Sequence, residues 1–224
     1  MNEQPVYYDT LNRIHKVITR GLDVTIDKSL AFAKTGFPDK AIATGFFRYV
    51  KSCLITLYAH HVTEDEVAFP FFQRRVPSLR LDGLIMQHQQ MVPHRETIKA
   101  LIEKAADEPE TDLSVLLTKV AESATNLRTL WLMHINAEES YFTSESITSL
   151  QLSKEEQANI IRQTVEYNQK YCHPAAWVLP FLLYNLRAHD RAKLAENMPP
   201  QMMKVLVPIV WKNEWAPMKP FLFD

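Results

Sequence analysis

Apolar residues recur every three or four positions through most of the chain, the period of an α-helix with one buried face. Leu11, Ile14, Ile18 and Leu22 begin the first such stripe, which runs on through Leu30 and Phe32 until Gly36-Phe37-Pro38-Asp39 interrupts it. Asp39 is a suitable N-cap for a second helix, whose stripe passes through Leu54, Leu57, His60, Glu64, Val67, Ala68 and Phe71. Beyond Pro77 and Ser78, a third helix carries Leu84, Ile85, His88, Met91, Val92, Ile98, Leu101 and Ile102 on one face. Pro93 falls inside it, removes a backbone hydrogen bond and predicts a kink near the carbonyl of Gln89. The polar break Asp107-Glu108-Pro109-Glu110-Thr111-Asp112 precedes a fourth stripe of Leu116, Val120, Leu127, Leu130, Trp131, His134, Glu138 and Tyr141.

Past about residue 146 the pattern changes. Ser153-Lys154-Glu155-Glu156 has the form of a capping box opening a helix to about Tyr171, and Pro174 can start another. The tail holds Trp177, Phe181, Leu182, Leu183, Trp211, Trp215, Phe221 and Phe223. It is too apolar to stay free in water, and docking on the preceding helices is expected. The expected fold is therefore all-α: an up-down-up-down four-helix bundle over residues 1–150 with a C-terminal helical extension, 151–224, packed on it.

Histidines and glutamates occupy positions in these stripes where core residues belong. Two of the stripes repeat one motif, His60-x-x-x-Glu64 and His134-x-x-x-Glu138. Residues four apart stack on one helix face with Cβ atoms roughly 6 Å from each other, so an imidazole and a carboxylate can serve one site together. The two halves of the bundle correspond: His15 to His88 is 73 residues, while His60 to His134 and Glu64 to Glu138 are each 74. Register gives an independent reason to group them. The midpoint of His15 and His60 lies between Phe37 and Pro38, that of Glu64 and His88 is Val76, and that of His88 and His134 is Thr111. Each falls in an expected turn, and residues equidistant from the turn of an antiparallel pair lie at one height.

Two carboxylates buried without partners would cost several kcal/mol each, so compensating charge is required. Four neutral imidazoles and two carboxylates suit two divalent first-row metal ions. If each carboxylate bridges, each ion receives two histidine nitrogens and two carboxylate oxygens, with positions left open for dioxygen or peroxide. His61-x-x-x-Asp65 is a rival pair about 100° from the stripe. A surface place, or one orienting a ligating imidazole from outside, is expected for it. Glu66 and Glu139 are expected in solvent, and Tyr49, Tyr58, Tyr141 and Trp131 in the core around the site. His94 lies six residues past His88 and about 120° around the helix, off the ligand line. His173 is read as a helix-start residue and His189 as a surface one. No histidine has a glutamate three residues before it, which argues against a ferritin-like carboxylate site, and the His-Glu-x-x-His motif of zinc proteases is absent.

With 46% hydrophobic residues and only 4 glycines, the 224-residue chain can bury a large core. A net charge of −1 with interspersed signs offers no electrostatic footprint for nucleic acid or an anionic membrane. Met1-Asn2-Glu3-Gln4-Pro5 lacks the basic start and apolar run of a leader, and no stretch approaches about 20 apolar residues, so a cytoplasmic protein is expected. Cys53 and Cys172 form neither a disulfide framework nor a zinc pattern.

In the order His15, His60-x-x-x-Glu64, His88, His134-x-x-x-Glu138, the chain resembles the hemerythrin-like, or HHE cation-binding, family, over about residues 8 to 146. The resemblance implies a non-haem di-iron centre, with manganese as the alternative metal, in a four-helix bundle. It implies that His15, His60, His88 and His134 are terminal ligands and that Glu64 and Glu138 bridge. Members carry or sense oxygen, sense iron, or turn over oxygen or peroxide. Oxygen-carrying members have a second histidine four residues after the third-helix ligand, where this chain has Val92. The ligand deficit and the apolar extension together favour an oxidoreductase acting with dioxygen or peroxide on a small substrate. An oxygen- or iron-binding sensor is the alternative, and the oligomeric state is open.

Overall fold

The computed structural model describes residues 7–107, 112–143, 145, 150–196 and 198–223. Every regular element among them is helical. Four helices are long: α1 (Tyr7–Thr35), α2 (Lys40–Thr63), α4 (Asp82–Asp107) and α5 (Leu113–Tyr141), with the short α3 (Phe69–Arg75) between the second and third of these. α1 packs on α2 and on α5, and α4 packs on the same two, so the long helices form a closed ring.

The ends follow the local chemistry. Gly36, at φ 70°, closes α1 in the left-handed conformation that glycine adopts freely, and its N–H reaches the carbonyl of Phe32 at 2.9 Å. The Asp39 carboxylate accepts from the Ile42 N–H at 2.8 Å as the expected N-cap. Asp112 caps α5 in the same way through the Val115 N–H, although Glu108 to Thr111 of the expected polar break lie outside the described residues. α4 runs through Pro93 as one helix.

Between α2 and α3 the helix widens into a π turn over Glu64–Ala68, with the Phe69 N–H bonded to the Glu64 carbonyl five residues back. Pro70 supplies a cause: it has no N–H for the carbonyl of Glu66, and its ring crowds that carbonyl.

The extension comprises α6 (Lys154–Gln169), α7 (Ala175–Tyr184), α8 (Ala188–Ala195), a π-helical stretch (Met202–Val210), α9 (Lys212–Trp215) and a 3₁₀ segment (Ala216–Phe221). Its start is the capping box read from sequence: Ser153 Oγ accepts from the Glu156 N–H, and the Ser153 N–H donates to Glu156 Oε2. α6 lies against the π turn and α1, where Leu152 and Ile160 join a core of Tyr7, Leu11, Phe72 and Phe142. The rest covers the other end of α2, with Phe181, Leu183, Trp215, Met218 and Phe221 entering the core of Ile18, Phe46, Tyr49 and Cys53. Tyr49 belongs to this seam. Its hydroxyl donates to Asn185 Oδ1 at 2.7 Å and accepts from Arg20, which also donates to the Phe221 carbonyl. No helix among the described residues is long and apolar enough to cross a membrane.

Both cysteines are free thiols. Burial pushes the Cys53 thiol far up, and burial pushes Cys172 up to about 12, while its Sγ–H donates to Asn168 Oδ1. Because only the thiolate attacks, an aromatic disulfide reagent at pH 8 is expected to label neither cysteine of the native chain within minutes. Both should react once the chain is unfolded.

Candidate metal centre

The six residues of the repeated motif come together. His15 from α1, His60 from α2, Glu64 at the start of the π turn, His88 from α4, and His134 and Glu138 from α5 are all buried. His60 Nε2 stands 3.3 Å from Glu64 Oε1, and His88 Nε2 stands 3.4 Å from Glu64 Oε2. His15 Nε2 lies 3.1 Å and His134 Nε2 3.6 Å from Glu138 Oε2. Each carboxylate thus faces histidines from two helices.

Of the two places expected for His61, the surface one is corrected: the side chain is buried, and its ring stacks on that of His88 with centroids 4.0 Å apart. The potential donor atoms fall into two groups, each within 4.8 Å: His15, His60, Glu64 and Glu138 in one, and His61, His88 and His134 in the other. His94 belongs to neither, and its carbonyl accepts from Ser123 Oγ. His173 and His189 are exposed in the extension.

Outer partners orient three of the rings. Glu139 Oε1 lies 2.7 Å from His15 Nδ1, Asp65 Oδ1 2.9 Å from His88 Nδ1, and Gln87 Oε1 3.2 Å from His134 Nδ1. An oxygen acceptor at Nδ1 places the proton there and leaves the Nε2 lone pair facing inward, the form that binds a metal. Asp65 therefore does orient an imidazole from outside, as expected, but that of α4. Glu139, expected in solvent, is bound to His15. Nothing in periodicity marks Gln87 or Glu139; each is simply the chain neighbour of a ligand-line residue. Glu66 is exposed.

Trp131 is fully buried against the rings of His15, His60, His61 and His134, with its Nε1–H donated to Thr19. Phe69 stacks on the His88 ring. Tyr58, Tyr141 and Val92, expected in the core, are instead 39%, 43% and 45% exposed, at the margins of their stripes. Val92 therefore leaves the site without a second α4 side chain at the position four residues past His88.

The electrostatics describe a site short of positive charge. His15 Nε2, His60 Nε2, His61 Nε2 and both oxygens of Glu64 and Glu138 are buried without a hydrogen bond. Each such atom costs roughly 1–3 kcal/mol when it stays unpaired. Burial, and then the charge of Glu138, raises the Glu64 carboxyl well above its ordinary value. Burial acts the same way on Glu138, but the His15 imidazole outweighs it and holds that carboxyl low. Burial works against charge on His15, while Glu138 and Glu139 overcome it and raise its value. Burial, and then neighbouring histidines, keeps His60 and His61 neutral. Burial is also the main reason that His134 falls to about 3. His15 and Glu138 thus support each other's charge, while His60, His61 and His134 stay neutral beside them. Imidazoles with free lone pairs around buried carboxylates are the donor set of a divalent cation site. The 3.1 Å between His88 Nε2 and His134 Nε2 matches two nitrogens at right angles on one first-row ion, about 3 Å apart for bonds near 2.1 Å.

Compared with known families, residues 6–144 match the model of the Hemerythrin HHE cation binding domain. That span takes in the four long helices and every donor in both groups. No curated protein and no solved structure matches the chain.

Proposed function

The chain belongs to the hemerythrin HHE cation-binding domain family, and from that premise we propose that it is a non-haem di-iron protein that binds and reacts with dioxygen or peroxide as an oxidoreductase on a small substrate. The observation that carries this reading is the set of four carboxylate oxygens on Glu64 and Glu138, buried without a hydrogen bond in a shell of imidazoles. His15, His60, His88 and His134 would be terminal ligands and Glu64 and Glu138 bridges, with manganese the alternative metal. Bound iron supplies the electrons for reducing dioxygen or peroxide.

The chain's own residues do the rest. Glu139, Asp65 and Gln87 hold three imidazoles with Nε2 inward, while Trp131, Phe69 and Tyr7 keep bulk water from the donors. A cleft of about 310 Å³ beside His15 and Glu139, lined also by Lys16, Arg20 and Asp23, gives a small polar substrate or reductant a place next to the site. Convergence of donors from four helices at one height also supports an up-down-up-down sense for the ring. We place the bundle at residues 1–150 and treat 151–224 as an extension of the same globule.

The test is anaerobic loading with ferrous iron, then oxygen or peroxide with a reductant present. Two irons per chain, and consumption of oxidant above that of free iron, are expected. A reversible adduct with no net consumption would overturn turnover and assign storage or sensing, and failure to bind iron would remove the reading altogether.

A further inference from the structure

Outside the six-residue motif the strongest unassigned group is His61. It is 8% exposed, its Nε2 is buried with no hydrogen bond, and that side chain lies with His88 and His134 in a cluster whose donor atoms are all within 4.8 Å. The other four donors, His15, His60, Glu64 and Glu138, make a separate group. The ring stacks on His88 at 14° between planes, with centroids 4.0 Å apart, and meets His134 edge-on at 5.5 Å, so it borders both members of the His88–His134 pair. A core histidine serving packing alone would turn a nitrogen to an acceptor, as His15, His88 and His134 do with their outer nitrogens.

We propose that His61 is a metal ligand, the third histidine on the ion held by His88 and His134. The centre is then uneven. One ion takes three histidines, from α2, α4 and α5, and its neighbour takes two, from α1 and α2, with Glu64 and Glu138 lying between. The α2 helix thereby supplies the imidazole that α4 does not, since the α4 residue four positions past His88 is Val92, which has no donor atom and lines the same cleft as His61. The ion with fewer histidines is the one beside His15, on the side of the larger cleft, which directs small-molecule chemistry to that side.

This rests on the metal-binding reading, and the test separates the two. Metal-free protein is titrated with cobalt(II), and paramagnetically shifted, exchangeable ring N–H signals are counted in the loaded wild type. Two cobalt ions per chain and five shifted imidazole N–H signals are expected. His61→Gly should keep one tightly held cobalt and bind the second more than about 100-fold more weakly, beyond the 10–100-fold typical of losing an outer partner. Added imidazole, entering by the cleft of about 100 Å³ that His61 lines with Tyr58 and Arg95, should restore the second ion and its visible spectrum. Four shifted signals in wild type, or His61→Gly with two cobalt ions of unchanged affinity and spectrum, would overturn the assignment while leaving the six-ligand reading intact. Wild type that binds no cobalt would overturn both. The wild-type count decides the matter even if His61→Gly does not fold.

Discussion

Replacing Glu64 with glutamine is expected to stabilise the metal-free protein and destabilise the metal-loaded one. Without metal, Glu64 is a buried carboxyl with two unpaired oxygens beside the charge of Glu138, and an uncharged amide of the same shape relieves roughly 1–3 kcal/mol. The effect has a pH signature. Because the folded value of Glu64 is raised, its contribution to stability is present below the unfolded value and lost as pH rises through the folded one. Metal-free wild type should therefore weaken on going from acid to neutral pH relative to Glu64→Gln, which does not titrate there. With metal the order reverses. Ligand at a thousand times its Kd contributes about 4 kcal/mol, roughly 8–16 °C in Tm for a chain of this size, and loss of a bridging carboxylate forfeits most of that. Thermal unfolding of both proteins at two pH values, with chelator and with ferrous iron under anaerobic conditions, checks it. The same order of stability with and without metal would contradict a site built for cations.

Gly45→Ala should lower Tm by roughly 6–12 °C while leaving metal stoichiometry unchanged. A Cβ built on Gly45 would sit 1.9 Å from the Pro217 carbonyl oxygen and 2.5 Å from its carbon. Those atoms are backbone in the 3₁₀ segment that seats the extension on α2, so relief means lifting that segment and exposing Met218 and Phe221. About 3 kcal/mol or more is the expected cost. Gly21→Ala is the milder control, because its new Cβ would meet the side chains of Cys53 and Phe181 rather than backbone. His60 lies fifteen residues further along α2 than Gly45, roughly 22 Å away, which is why the metal site should survive. Calorimetry together with metal analysis reads both quantities. An unchanged Tm would mean that the extension is not seated where the structure puts it.

Periodicity along the chain and packing between helices select different donors for one physical reason. Period and turn midpoints locate the centre line of each helix's buried face, and His15, His60, Glu64, His88, His134 and Glu138 all lie on it. A residue about 100° off that line has no assignable environment until its neighbours are placed. α2 is flanked by α1 and by α4, so His61 and Asp65 meet α4 instead of water. α5 lies against α1, so Glu139 meets His15. The same uncertainty at stripe margins put Tyr58, Tyr141 and Val92 in the expected core, whereas the ring of helices leaves them open to solvent.

The amino-acid sequence by itself therefore determined an all-helical chain, its caps at Asp39 and Ser153, and six buried donors at one height, because these depend on local propensity and on a period that one helix carries within itself. Only the tertiary structure decided the partition of donors into two groups, the outer partners that aim the imidazoles, and the seam between Gly45 and Pro217. Each of these is a contact between helices, and the packing of neighbouring helices, not the period of either one, selects which flanking residues meet.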